Sequence, residues 1–106
     1  FSKVTLGAEK LINWEICKSI SLKLEELKKE GYKIIALEQD SQSKKLGSYK
    51  NDSNKFVLVV GNEVDGVSKD ALNFADDIVE IPMMGEKESL NVSVATGVAL
   101  YHLTII

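Results

Sequence analysis

Phe56–Val60 reads FVLVV, five apolar residues in a row with Gly61 directly after them. A run without alternation has no polar face to offer water, so it predicts a strand buried on both faces, as in the middle of a parallel sheet. Parallel strands need crossover connections, and the flanking sequence supplies them. Ile16, Ile20, Leu24 and Leu27 recur at helical spacing with Gly31 beyond, which predicts an amphipathic helix over 16–30. KIIALE at Lys33–Glu38 is a second compact strand. Residues 41–55 are polar and read as an exposed loop. Ser68 is suited to cap a short helix ending near Ala75, with Asp70 in its first turn. DIVEI at Asp77–Ile81 is the next strand, stopped by Pro82. A final helix begins at Ser89 or Leu90, and Lys3–Leu6 reads as a strand end closed by Gly7. Helices alternating with strands predict an α/β fold, a mainly parallel sheet flanked by helices.

A chain of 106 residues predicts one domain over 1–106, and 44% apolar content is ordinary for a globular protein. No apolar stretch approaches the roughly 20 residues needed to span a bilayer, so no membrane partner is expected. The chain opens without the basic and apolar regions of a secretory leader. A single cysteine, Cys17, excludes an internal disulfide and fits a reducing, cytoplasmic compartment. The charge balance is unusual. All 13 basic residues are lysine, and 16 carboxylates bring the net charge to -3. The basic excess of a freestanding nucleic-acid binder is missing, and so is every bidentate guanidinium.

In open parallel sheets, ligands bind beyond the carboxyl ends of the strands. Two glycine-containing loops have that placement: GNEVDG at 61–66 and the segment PMMGEKESLN at 82–91. Gly61 and Gly66 have the separation of a phosphate-binding P-loop, but Val67 stands where the lysine is required, and Glu63 and Asp65 would repel a triphosphate. The dinucleotide glycine pattern is absent too. Ser89 and Asn91 fit either helix capping or a polar site. Glu63 fits a solvated turn as well as a functional carboxylate. Met83 and Met84 suit core filling or an apolar slot for a flat ring. His102 is expected to pack or hydrogen-bond near the C-terminus, with no ligand set for a metal. Cys17 is expected to be a buried, inert thiol in the first helix.

Read together, LVVGNEVDGVS and IPMMGEKESLNVSVATGVALYHL resemble the second and third motifs of SpoU-like (TrmH-type) RNA methyltransferases. Gly61, Asn62, Glu63 and Gly66 match the first of these motifs. Ile81, Pro82, Met83, Gly85, Ser89, Leu90, Asn91, Val92, Ser93 and Ala95 match the second. TLGAEK and GYKIIALEQ are similar to the segment preceding them. The resemblance implies methyl transfer from S-adenosyl-L-methionine to a ribose 2′-hydroxyl of tRNA or rRNA, by a homodimer with a C-terminal trefoil knot. It implies that Gly61, Ile81 and Leu90 hold the cofactor through backbone groups, with Val60, Met83 and Ser89 lining the pocket. Glu63, Ser89 and Asn91 fall on the family's polar active-site positions.

The family's first motif carries an asparagine and an arginine thought to activate the hydroxyl. Neither that motif nor any arginine occurs in these 106 residues. The expectation is therefore a cofactor-binding, knot-bearing part that is inactive alone. A catalytically inactive SAM- or RNA-binding module is the alternative, and a flavodoxin-like nucleotide-binding domain is a third reading that rests on the α/β pattern alone.

Overall fold

A computed structural model describes residues 2–8, 11–17, 20–39, 41–61, 66–81 and 92–105. Strands β1 (Ser2–Ala8) and β2 (Leu11–Cys17) precede helix α1 (Ile20–Lys29) and strand β3 (Lys33–Leu37). The short strand β4 (Lys44–Lys45) runs into a 3₁₀ turn at Leu46–Ser48, and strand β5 (Lys55–Val60) follows. Helix α2 (Lys69–Phe74), strand β6 (Asp77–Glu80) and helix α3 (Val92–Ile105) complete the described elements. The sheet order is β2-β1-β5-β3-β6-β4. β3 runs parallel to β5 and β6, and β4 parallel to β6, while β1 is antiparallel to both β2 and β5.

The FVLVV run therefore sits inside the sheet, at the junction between its parallel part and an antiparallel edge. Its residues divide by parity between two cores. Val57 and Val59 join Ile34 and Ala36 under α1 and α2, which contribute Leu24, Leu27 and Ala71. Phe56, Leu58 and Val60 join Ile35 and Val79 under α3, which contributes Ala99 and Leu103. Both faces are covered by helices, which is why neither could carry a polar stripe.

The sequence signals account for most boundaries. Gly31 adopts φ 92°, and Tyr32 N–H donates to Leu27 O at 3.0 Å, the Schellman closure expected at a glycine C-cap. Ser68 Oγ accepts from Ala71 N at 3.2 Å and caps α2 as predicted. Asp76 brackets the start of β6: its N–H donates to Ile34 O at 2.8 Å and its Oδ2 accepts from Ile34 N at 2.7 Å.

Two expectations need correction. The first helix begins at Ile20, and Ile16 and Cys17 belong to β2, where they pair with Lys3 and Ser2. Ile12, Trp14 and Ile16 follow a two-residue period that competes with the helical one, and pairing with β1 decides for the strand. Segment 41–55 is also more than a loop. It contains β4 and buries Leu46 and Tyr49 against the α3 side of the sheet. The start of the last helix at Ser89 or Leu90, and the threading of a knot there, lie outside the described residues.

Candidate functional site

The carboxyl ends of the parallel strands lie side by side, with Leu37 opposite both Val60 and Val79. The residues that follow them therefore gather along one edge: Glu38 after β3, Gly61 after β5 and Ile81 after β6. Val60 and Ile81 belong to the same apolar cluster, together with Leu37. The two glycine-containing loops identified from sequence both leave from this edge.

Gly61 makes a close backbone approach there. A Cβ built on it would run into the carbonyl of Gly66 and the amide nitrogen of Val67. The two ends of GNEVDG are thus pressed together, and only a residue without a side chain fits at the first of them. Gly66 has φ 69°, and a Cβ there would meet the Glu38 carboxylate. Glu38 Oε2 accepts from Val67 N at 2.8 Å, and Oε1 accepts from Gln39 N at 3.0 Å. Of the residues expected to form the site, Val60, Gly61 and Ile81 come together on this edge. Glu63, Met83, Ser89, Leu90 and Asn91 lie outside the described residues. Glu38 was not singled out from sequence, and its place directly after the KIIAL strand was the available signal.

Among the described residues, an ionic cluster lies at the opposite, amino-terminal edge. Asp77 Oδ2 accepts from Tyr49 Oη at 2.6 Å, and Asp77 also lies 3.3 Å from Lys33 Nζ and 3.0 Å from Lys44 Nζ. Lys33 Nζ donates to Asp52 Oδ1 at 3.0 Å. Burial, followed by the hydrogen bond to Asp77, pushes the Tyr49 phenol up to about 12. For Asp77, burial opposes ionisation, yet the hydrogen bonds from Tyr49, Lys44 and Lys33 outweigh it and hold the carboxyl below its ordinary range. The Lys33 ammonium is opposed by burial in the same way and is raised by the side chains of Tyr49 and Asp52. None of these three groups changes charge near neutrality. The cluster ties the starts of β3 and β6 to the 44–52 segment. His102 Nε2 hydrogen-bonds to Tyr49 O at 2.6 Å, the packing role expected of it. Among the described residues, no three histidine, cysteine or carboxylate groups gather as metal ligands.

The family model for the SpoU rRNA Methylase family matches residues 1–101. The chain belongs to that family. It is 41% identical over 101 residues to a tRNA (guanosine(18)-2'-O)-methyltransferase of Aquifex aeolicus, a match that covers 93% of this chain and 46% of that protein. It is 37% identical over 101 residues to the 23S rRNA (guanosine-2'-O-)-methyltransferase RlmB of Xanthomonas axonopodis pv. citri, covering 94% of this chain and 39% of the relative. Its fold is similar to the crystal structure of the A. aeolicus TrmH/SpoU tRNA modifying enzyme, with a TM-score of 0.72 at 41% identity over 81% of this chain and 43% of that one. The chain spans less than half the length of these relatives. The α/β fold and the SpoU resemblance read from the sequence stand. No helix among the described residues is long and apolar enough to cross a membrane.

Proposed function

We propose that this chain is the cofactor-holding part of a ribose 2′-O-methyltransferase acting on tRNA or rRNA, with S-adenosyl-L-methionine as methyl donor. The observation that carries the reading is the pinch of Gly61 against Gly66 and Val67, beside the Val60 and Ile81 cluster. A position that rejects even a Cβ brings bare backbone N–H and C=O groups to the strand edge where α/β sheets bind ligands. That suits a cofactor held mainly through the main chain, as the family resemblance implies. When bound, S-adenosylmethionine supplies a methyl group on a sulfonium, open to displacement by an oxygen nucleophile.

In this reading Gly61, Ile81 and Leu90 offer backbone groups to the cofactor, while Val60, Met83 and Ser89 shape the pocket around it. Glu63, Ser89 and Asn91 orient the loops and the ribose hydroxyl. A ribose hydroxyl is a weak nucleophile and needs a positioned base or cation. The chain contains no arginine, so the activating group is assigned to a part of the relatives' length that these 106 residues do not span. Tested alone, the chain binds cofactor without useful turnover. The same absence of arginine favours the second reading, a module that binds SAM or RNA and has lost catalysis.

The knot and the dimer belong to the same proposal. The segment from Ser89 onward passes through the loop formed by 56–81. Along α3, Val94, Val98 and Tyr101 are 54%, 45% and 62% exposed, an apolar stripe that a second copy would cover. A cytoplasmic setting, with Cys17 reduced, completes the picture.

The deciding experiment is a calorimetric titration of the chain with S-adenosylhomocysteine. Saturable binding at one site per chain is expected, and no heat at micromolar protein overturns the reading. Ribose methylation by a longer protein that includes these residues separates the enzyme from the inactive module. A monomer by light scattering removes the dimer.

A further inference from the structure

We infer that Glu38 is the positioning residue of the 61–66 loop: its carboxylate sets the base of that loop and, through it, the affinity for the methyl donor. The inference rests on the cofactor reading proposed above and adds a residue that neither motif contains.

Strand β3 lies between the two strands that launch the candidate loops. Glu38 is the first residue beyond it, and its N–H donates to Val79 O at 3.0 Å, which extends the β3–β6 pairing by one step. Its backbone is therefore fixed by the sheet. Its side chain reaches across to the residue after the loop, where Oε2 takes the Val67 N–H at 2.8 Å, while Oε1 takes the N–H of the next residue in its own segment, Gln39, at 3.0 Å. A carboxylate accepting from backbone N–H makes a stronger bond than a neutral acceptor, and this one falls on the residue directly after the loop. Gly66 makes the approach possible, because a Cβ in its place would occupy the position of Glu38 Oε2. Gly61 meets Gly66 and Val67 from the other side. Val67 is thus gripped between a carboxylate from β3 and the first glycine of its own loop. Releasing the carboxylate frees the Gly66–Val67 peptide to turn away from Gly61. The backbone groups at the pinch then lose the arrangement offered to the ligand.

Ser68 provides the control. Its hydroxyl caps α2 one residue further on, so loss of that cap loosens the same stretch without touching the Val67 N–H. The test is a titration of S-adenosylhomocysteine into the wild type, E38A, E38Q and S68A. Affinity is expected to fall about tenfold or more in E38A, about threefold in E38Q, whose amide oxygen still accepts from Val67, and less than twofold in S68A. Amide exchange at Val67 in the ligand-free protein is expected to quicken about tenfold in E38A and much less in E38Q. Wild-type affinity in E38A overturns the inference and leaves the cofactor reading standing. So does an S68A loss as large as that of E38A, since general loosening then explains both. Failure of the wild type to bind overturns the cofactor reading and the inference with it. Should E38A not fold, E38Q against S68A decides, and wild-type affinity with unchanged Val67 exchange in E38Q overturns the inference.

Discussion

At the amino ends of the parallel strands, Lys33, Lys44, Asp52, Asp77 and Tyr49 are tied by side-chain contacts of 2.6–3.3 Å. At the carboxyl ends, among the described residues, backbone meets backbone, Gly61 against Gly66 and Val67, with the Glu38 carboxylate behind it. The two edges differ in what can replace their parts. Charged side chains hold an edge together through flexible stems, so water replaces part, but not all, of what the loss of one removes. A glycine pinch has no slack, because any side chain collides with main chain. Among the described residues, strongly shifted ionisation, often a pointer to function, marks the edge away from the candidate site. The glycine edge is the one to which the proposed function assigns the cofactor.

The largest effect expected to test this contrast comes from Gly61→Ala. The added methyl must displace the Gly66 carbonyl and the Val67 nitrogen, and overpacking of this kind costs about 1–3 kcal/mol. S-adenosylhomocysteine affinity should drop by roughly ten- to a hundredfold, as read by calorimetry. Retained affinity in this variant would show that the carboxyl edge yields as easily as the amino edge, and the comparison would break. Asp77→Ala is its counterpart. It strips one acceptor from Tyr49 and leaves Lys33 and Lys44 without their shared carboxylate. Stability measured in denaturant should fall by about 2 kcal/mol, the cost of partners left unsatisfied in a half-buried site. Cofactor affinity should stay within about twofold of wild type, as for a distant and independent site.

Much of this contrast was legible before the structure. FVLVV, KIIAL and DIVEI announced strands through unbroken apolar character, and Gly31 and Ser68 marked helix ends because their chemistry is local. The glycines of GNEVDG were visible as a loop, and the resemblance to SpoU motifs marked it as a site. What escaped was decided by partners remote in sequence. Residues 11–17 join a strand because β1 pairs with them, against the helical spacing that Ile16 shares with Ile20. Tyr49 lies in a polar stretch, and partners remote in sequence bring it into the core: the apolar cluster under α3, Asp77 and His102. Glu38 reads as the polar end of a strand until the Val67 N–H is seen across 29 positions.

Alkaline titration sharpens the comparison further. The Tyr49 phenol is raised from its ordinary 10 to about 12, so the unfolded chain loses this proton before the folded one does. The stability it contributes is complete below pH 10 and is lost as pH rises towards 12. Lys33, raised as well, acts in the same direction above its ordinary 10.5. The loss between pH 9.5 and 12 should be on the order of 1–2 kcal/mol in denaturant unfolding, and Tyr49→Phe should flatten it. Asp52 and Asp77 work in the opposite window. Both carboxyls are lowered from 3.8, so their contribution is present above that value and fades only as the pH falls below it. An alkaline profile equally steep in wild type and Tyr49→Phe would remove the phenol from the account of the amino edge.

The smallest expected effect comes from His102→Ala, at the one described contact that links α3 to the backbone of the ionic cluster's tyrosine. His102 Nε2 lies 2.6 Å from Tyr49 O. A carbonyl only accepts, so Nε2 carries the proton in this bond. Removing the imidazole leaves that carbonyl without this donor in a half-buried setting, and water replaces part of the loss. A cost of about 1 kcal/mol in unfolding free energy is expected. The α3 helix keeps its other holds on this side, because Ala99 and Leu103 remain packed under the sheet and Asn51 Nδ2 still donates to Leu103 O at 3.3 Å. Cofactor affinity should therefore be unchanged, since the strand edge that carries Gly61 and Ile81 lies at the other end of β5 and β6. A loss of affinity that tracks the loss of stability would mean that the amino edge governs the pocket through α3. The two ends of the sheet would then act as one unit, and the separation drawn between them would fail.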